Sequence, residues 1–219
     1  MTPHSNIKEK FMIEYDKANV TSSYPSYTTY EIATILNKAY LALIAQKVTG
    51  NNTRRAPFEA DTKAISDIQE LVKTVSQTTT GTGDAANSKE YSLPSDFLYY
   101  ISGVVKLSEQ DATVELVSHE IAQRFKQTRV NRPWIKNAVA YIEDDKIIML
   151  YDNYNTVTPG NFSITYIKEP AKFTPEFNGS FELNDTMVEE LISLAVLFAL
   201  ENVESTRLNT KAQTRGLEA

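Results

Sequence analysis

The sequence predicts an α+β protein: a helical bundle formed by N- and C-terminal helices, with an antiparallel β domain inserted between them. Three observations predict it. Residues 28–48 repeat apolar side chains at three- and four-residue spacing, the mark of an amphipathic helix. Between Tyr91 and Ile167 the pattern shifts to short runs rich in aromatic and β-branched residues, the mark of strands. After Asp185 a helical and almost wholly apolar stretch returns, centred on Leu191 to Leu200 (LISLAVLFAL).

Each element has a local reason. The first 26 residues read as a polar N-terminal arm, and their opening, MTPHSNIKEKFMIEYDKANV, has no apolar run of the kind a signal peptide needs. Thr28-Thr29-Tyr30-Glu31 is a capping box, with Thr28 as cap and Glu31 reaching back to it. Behind it Ile32, Ile35, Leu36, Ala39, Tyr40, Leu43, Ile44 and Val48 form one apolar stripe, which Gly50-Asn51-Asn52 ends. A second helix is expected from Pro57 to Val75, carried by Ile65, Ile68, Leu71, Val72 and Val75. Together the two would form an antiparallel helical hairpin. Ser76 to Glu90 (SQTTTGTGDAANSKE) holds no apolar side chain larger than alanine and reads as a polar linker.

The strands begin at Tyr91. Leu93-Pro94-Ser95-Asp96-Phe97 reads as a corner, with Pro94 fixing φ and Asp96 folding onto nearby N–H groups. Strands are expected over Leu98–Leu107 and Thr113–Val117, and a short helix over Ser118–Gln127 with Ile121, Ala122 and Phe125 facing inward. A hairpin follows, Ala138–Ile142 and Ile147–Tyr151, turning through Glu143-Asp144-Asp145-Lys146. Asn161–Ile167 is a further strand, closed by Pro170. The last helix, from Asp185 to Glu204, has a second capping box in Thr186 and Glu189 and is apolar nearly all round, so it is buried within a fold or between subunits. The resulting division is an N-terminal arm (1–26), a bundle (27–78 and 180–205), a polar linker (79–90), an antiparallel β domain (91–179) and a C-terminal arm (206–219).

Composition narrows the chemistry. The chain of 219 residues carries a formal net charge of −6, which argues against nucleic-acid binding by the whole surface but allows a smooth channel through which nucleic acid passes. With no cysteine, disulfides, thiolate catalysis and cysteine metal sites are excluded. His119-Glu120-Ile121-Ala122-Gln123 resembles a zinc-binding helix, yet Gln123 stands where the second histidine ligand is needed. Neither a nucleophile elbow nor a phosphate-binding loop is present. No catalytic residue, cofactor site or metal site is assigned.

Two charged groupings have open readings. Glu143, Asp144 and Asp145 would suit a divalent cation through their oxygens, or a solvated hairpin tip. Arg124, Lys126, Arg129, Arg132 and Lys136 form a basic patch with Phe125 and Trp134 interleaved. That patch would touch phosphates or an acidic neighbour, or Trp134 simply anchors a solvated charged loop. In the C-terminal arm Arg207, Lys211 and Arg215 recur every four residues, with Leu208 and Leu217 as apolar anchors. These five residues are candidates for contact with a neighbouring subunit or docking partner; the other reading is a solvated tail.

The order of these elements carries a resemblance. "LPSDF" leads into a strand, "NRPWIKNAVAYIEDDKIIMLYD" supplies the hairpin, "FSITYIKEP" the exit strand, and "TMVEELISLAVLFALENV" the closing helix. Over residues 27–205 the chain resembles the head–tail connector or adaptor proteins of short-tailed bacteriophages, the tail-tubular or ring proteins below the portal. Its style is also similar to ring proteins of crAss-like phages. The matching motifs are Leu93 to Phe97, Arg132-Pro133-Trp134, and Tyr166 to Pro170. The Thr/Gly-rich linker departs from the family pattern. The resemblance implies no enzymatic role. It implies a structural subunit in a ring of its own copies, expected to be a dodecamer. Such a ring docks on the portal, meets other tail or ring proteins and surrounds the DNA exit channel without sequence-specific binding. It implies a place in the virion neck or tail, with assembly in the host bacterial cytoplasm and no membrane partner. Two other classes stay open: a carboxylate-metal hydrolase built on Glu143–Asp145, and a monomeric module binding protein or nucleic acid through the basic patch.

Overall fold

The computed structural model describes residues 2–17, 26–49, 62–82, 87–107, 110–127, 137–151 and 159–202. The chain divides into two compact units, one from residues 1–71 with 170–219, the other from residues 72–169. The class is α+β, with helices and a curled, largely antiparallel sheet of eight strands.

Among the described residues the first unit is built on four helices: α1 (His4–Lys17), α2 (Thr29–Thr49), α3 (Thr62–Ile68, continued by a 3-10 turn over Gln69–Leu71) and α5 (Thr186–Asn202). The capping box at Thr28 is present in full. Thr28 N–H donates to Glu31 Oε2 at 2.7 Å, and Glu31 N–H donates to Thr28 Oγ1 at 3.3 Å. The stripe of α2 is buried from Ile32 to Ile44 and packs chiefly on α5.

Helix α1 lies where the sequence suggests only a polar arm. Ile7, Phe11 and Tyr15 recur every four residues and are fully buried, and the helix packs along α5. One narrow stripe on a charged helix suffices because its partner is apolar on every side. Flanked by α1 and α2, α5 buries ten of its residues, including Leu194, within this unit. Its all-round apolarity is thus accounted for as bundle core.

The second helix of the sequence reading is corrected. Helix α3 ends at Ile68, and Val72 and Val75 belong to a strand, β1 (Val72–Gln77). All six residues of that strand pair with β8, although their burial does not alternate strictly: Val72, Val75 and Gln77 are half-buried and Lys73, Thr74 and Ser76 exposed. The principal partner of α2 is therefore α5 rather than α3. The expected start at Pro57 lies outside the described residues. At α5, the expected capping box of Thr186 and Glu189 is replaced by a start around Asn184 and Asp185, whose carbonyls accept from Met187 N–H at 2.9 Å and Val188 N–H at 3.2 Å. Glu189 instead pairs with Lys10 of α1.

The second unit holds β1, β2 (Gly81–Thr82), β3 (Ser88–Ser92), β4 (Phe97–Leu107), β5 (Gln110–Leu116), α4 (His119–Gln127), β6 (Asn137–Glu143), β7 (Lys146–Leu150) and β8 (Pro159–Lys168). The polar stretch read as a linker therefore contributes strand residues. Ser76 and Gln77 pair with β8, and Gly81 and Thr82 pair with β3. Strand order is β1-β8-β4-β5-β6-β7-β3-β2. All pairs are antiparallel except β5 with β6, which run parallel. Helix α4 supplies the crossover that a parallel pair requires.

The sheet curls on itself. Strands β3 and β8 are five places apart, about 24 Å in a flat sheet. Yet the Tyr91 hydroxyl of β3 donates to the Gly160 carbonyl of β8 at 2.9 Å. The concave face is filled by Tyr91, Val105, Ala138, Ala140, Met149, Phe162, Ile164 and Tyr166, among others. Three register shifts between β4 and β8 increase the local bend. At Gly103 an added Cβ would stand 2.6 Å from the Phe162 ring and 2.7 Å from the Tyr100 hydroxyl, so glycine admits both rings. The convex face carries a smaller cluster of Ala122, Tyr141, Ile148 and Leu150 beneath α4. Ile121, expected inward, is exposed at 43%, while Ala122 and Phe125 meet the sheet as expected.

Candidate functional site

Leu93 to Phe97 forms a turn between β3 and β4. Phe97 N–H donates to the Pro94 carbonyl at 3.0 Å, closing it as a β-turn. Leu93 N–H donates to the Asp145 carbonyl at 2.9 Å, tying the turn to the β6–β7 hairpin. That hairpin tip holds Asp144 at φ 52°, the left-handed conformation that Asp tolerates in a turn.

Asp96 is the centre of the corner. Its Oδ1 accepts from the Tyr166 hydroxyl of β8 at 2.7 Å, and its Oδ2 accepts from Lys73 Nζ of β1 at 2.7 Å. Its backbone carbonyl accepts from Glu169 N–H at 2.6 Å. The expected fold of the carboxylate onto adjacent N–H groups is present only as a minor contact with its own backbone; two side chains from other strands are the main partners of the two oxygens. Chain order explains the convergence. Lys73 and Glu169 lie at the second and last positions of the second unit, and β1 and β8 are paired neighbours, so both chain ends of that unit arrive at this corner. The corner is not itself a crossing between units; those fall at 71/72 and 169/170.

The electrostatics agree with a structural tie. Lys73, then Tyr166, hold the Asp96 carboxyl below its usual range against the smaller effect of burial. Burial, and the hydrogen bond to anionic Asp96, push the Tyr166 hydroxyl up to about 12. At neutral pH the corner holds a carboxylate, an ammonium and a protonated phenol, each with its partner. Such a set fixes geometry and gives no group poised for proton transfer near neutrality.

The basic patch is only partly visible. Arg124 pairs with Glu120 one turn away at 2.7 Å, and Lys126 Nζ lies 4.7 Å from the Tyr141 ring centre. His119 meets the same ring edge-on at 5.2 Å. Both cations are thus engaged on α4, while Arg129, Arg132, Trp134 and Lys136 lie outside the described residues. So do Arg207, Leu208, Lys211, Arg215 and Leu217. In the acidic turn, Glu143 faces Lys146 across the hairpin, and Lys146 pairs with Glu90 at 2.8 Å. Among the described residues no group of three His, Asp or Glu side chains is placed to hold a metal ion.

Two polar clusters escaped the sequence reading. Lys47 Nζ sits 2.9 Å from both Asp67 Oδ2 and Glu190 Oε2, joining α2, α3 and α5. Burial alone would lower the Lys47 pKa, but Glu190 and Asp67 overcome that and raise it. Asn37 makes a paired contact with the Phe173 backbone, donating to its carbonyl at 3.0 Å and accepting from its N–H at 2.8 Å. Polar residues on otherwise apolar helix faces were the available signal in both cases. No family model matches the chain, and no curated protein matches it.

Proposed function

We propose that this chain is a structural subunit of a head–tail connector ring of a short-tailed phage. In this reading copies of the chain form a ring on the portal, join it to the tail and surround the DNA exit channel. The observation that carries the reading is the Tyr166–Asp96 hydrogen bond. It joins the "LPSDF" and "YIKEP" motifs, two of the sequence features on which the resemblance rests. Those motifs are 70 residues apart in the chain, and their contact gives the pairing a physical reason within one fold. The second support is the layout, with bundle helices drawn from both ends of the chain and the sheet from its middle. A connector subunit needs such a build when one part fixes the ring and another meets the next tail component. A cryo-EM map of the native particle tests the proposal. The reading requires density for multiple copies of this fold between portal and tail; their absence from the neck overturns it.

A further inference from the structure

The N-terminus is clasped to the segment that leads into α5. Phe181 N–H donates to the Thr2 carbonyl at 2.8 Å, His4 N–H donates to the Gly179 carbonyl at 3.0 Å, and Pro3 bridges Ser180 in antiparallel fashion. Thr2 Oγ1 adds a bond to Asp185 Oδ1 at 2.7 Å. Within this clasp the imidazole of His4 turns inward. It is 3% exposed, its ring centre lies 4.3 Å from that of Phe173, and neither of its nitrogens makes a well-formed hydrogen bond, the Ser180 backbone offering it only a weak one. Gly179, at φ +139°, presses against it: an added Cβ there would lie 3.1 Å from His4 Nδ1.

We infer that this clasp is an acid-released latch: protonation of His4 frees the first helix from the face of α5. A neutral imidazole fits against Phe173, whose ring in turn meets Phe177 and Phe181, whereas a charged one needs acceptors for two N–H groups. His4 is also the first residue of α1, where the exposed N–H groups of a helix disfavour a cation. The charged groups around it are few. Glu182, on the segment before α5, favours the charged form, but its Oε2 already accepts from Ala171 N–H at 2.9 Å. Lys8, one turn along α1, lies over the Phe177 ring and opposes a second positive charge. Asp185 is engaged by Thr2, and Tyr40 of α2 reaches the same cluster through Phe173 and Phe181.

Burial sets the sign. It lowers the His4 pKa below its ordinary value of 6.5, with the Ser180 backbone and Glu182 opposing. The released state therefore binds more protons than the clasped one. Clasp stability is full above about pH 6.5 and declines as pH falls from there towards the lowered value. Release would uncover the α5 surface now covered by Ile7, Phe11 and Tyr15. This latch is independent of the connector reading.

Hydrogen–deuterium exchange on the full chain, corrected for intrinsic rates, at pH 7.5 and pH 5.0 tests it. At pH 5.0 amides of residues 7–17 and of Phe181 should lose protection at least about tenfold relative to pH 7.5, while those of β4 and β8 keep theirs. His4→Phe, which cannot titrate, should abolish the difference. In the unsubstituted protein an NMR titration of the His4 ring, told from His119 by a His119→Asn variant, should give a midpoint below 6.5. Equal α1 protection at both pH values overturns the latch, as does the same loss in His4→Phe. If that variant does not fold, a His4 midpoint at or above 6.5 overturns it.

Discussion

The Tyr166 hydroxyl donates to Asp96 Oδ1 at 2.7 Å, while Lys73 Nζ occupies Oδ2 at the same distance. One carboxylate thereby fastens the first strand of the sheet unit, its last strand and the turn before β4. Tyr166 is buried, so its bond to an anionic acceptor is sheltered, whereas the Lys73–Asp96 pair is partly open to solvent and correspondingly screened. The tie matters most where the chain leaves the sheet, since the Asp96 carbonyl also receives Glu169 N–H.

Tyr166→Phe should destabilise the sheet unit by about 1–2 kcal/mol, through loss of a hydrogen bond to a charged acceptor. Asp96→Asn should cost a similar amount and change the pH profile. The folded carboxyl lies below its ordinary value, so its contribution is present above about pH 4 and lost as pH falls through the folded value. Urea unfolding from pH 7 to pH 3 checks both substitutions. Asp96→Asn should remove part of the acid-dependent loss, and an unchanged profile would count against the tie.

Gly103→Ala should be more damaging than an exposed strand substitution. Its methyl would enter within 3 Å of the Phe162 ring, which cannot withdraw without disturbing Tyr91 at 5.3 Å between ring centres. A loss on the order of 1–3 kcal/mol is expected from overpacking. Thermal unfolding followed by near-UV circular dichroism reports it directly through the aromatic cluster.

Lys47→Met should cost about 3–5 kcal/mol, because Asp67, only 5% exposed, would be left without its cation. The Lys47 pKa is raised in the folded state, so the ion pair stabilises below pH 10.5 and is lost as pH rises through the folded value. Chemical denaturation at pH 7 and pH 11 should therefore show a smaller difference between variant and parent at the higher pH.

On the proposed connector function, deleting residues 206–219 should leave the described fold intact and weaken docking on the portal. Only Leu208 and Leu217 offer large apolar anchors in that segment, so each copy contributes modestly and the ring multiplies the effect. Circular dichroism with portal co-sedimentation separates folding from docking. Normal docking of the truncated chain would leave the arm without a role.

Much of the fold was legible where one pattern dominated. The Thr28–Glu31 box, the α2 stripe and the Glu143–Lys146 hairpin each combine a start or turn signal with a clear period. Helix α1 was hidden because three apolar residues at four-residue spacing are diluted by charged neighbours, and its stability comes from α5, some 180 residues away. Strand β1 was hidden because Leu71, Val72 and Val75 satisfy helical spacing, while its pairing is with β8, about 90 residues away. The Asp96 corner was legible as a turn but not as a junction. Its partners, Lys73 and Tyr166, are brought to it by sheet topology, which local residue types do not encode.

The central claim is assembly on a portal, and a mass measurement tests it most directly. Analytical ultracentrifugation or native mass spectrometry of the full chain, alone and with the portal protein encoded alongside it, gives the number of copies bound. The connector reading predicts a portal-bound ring of many copies, about twelve, as the family resemblance implies. A chain that remains monomeric at micromolar concentration and never associates with the portal would contradict it.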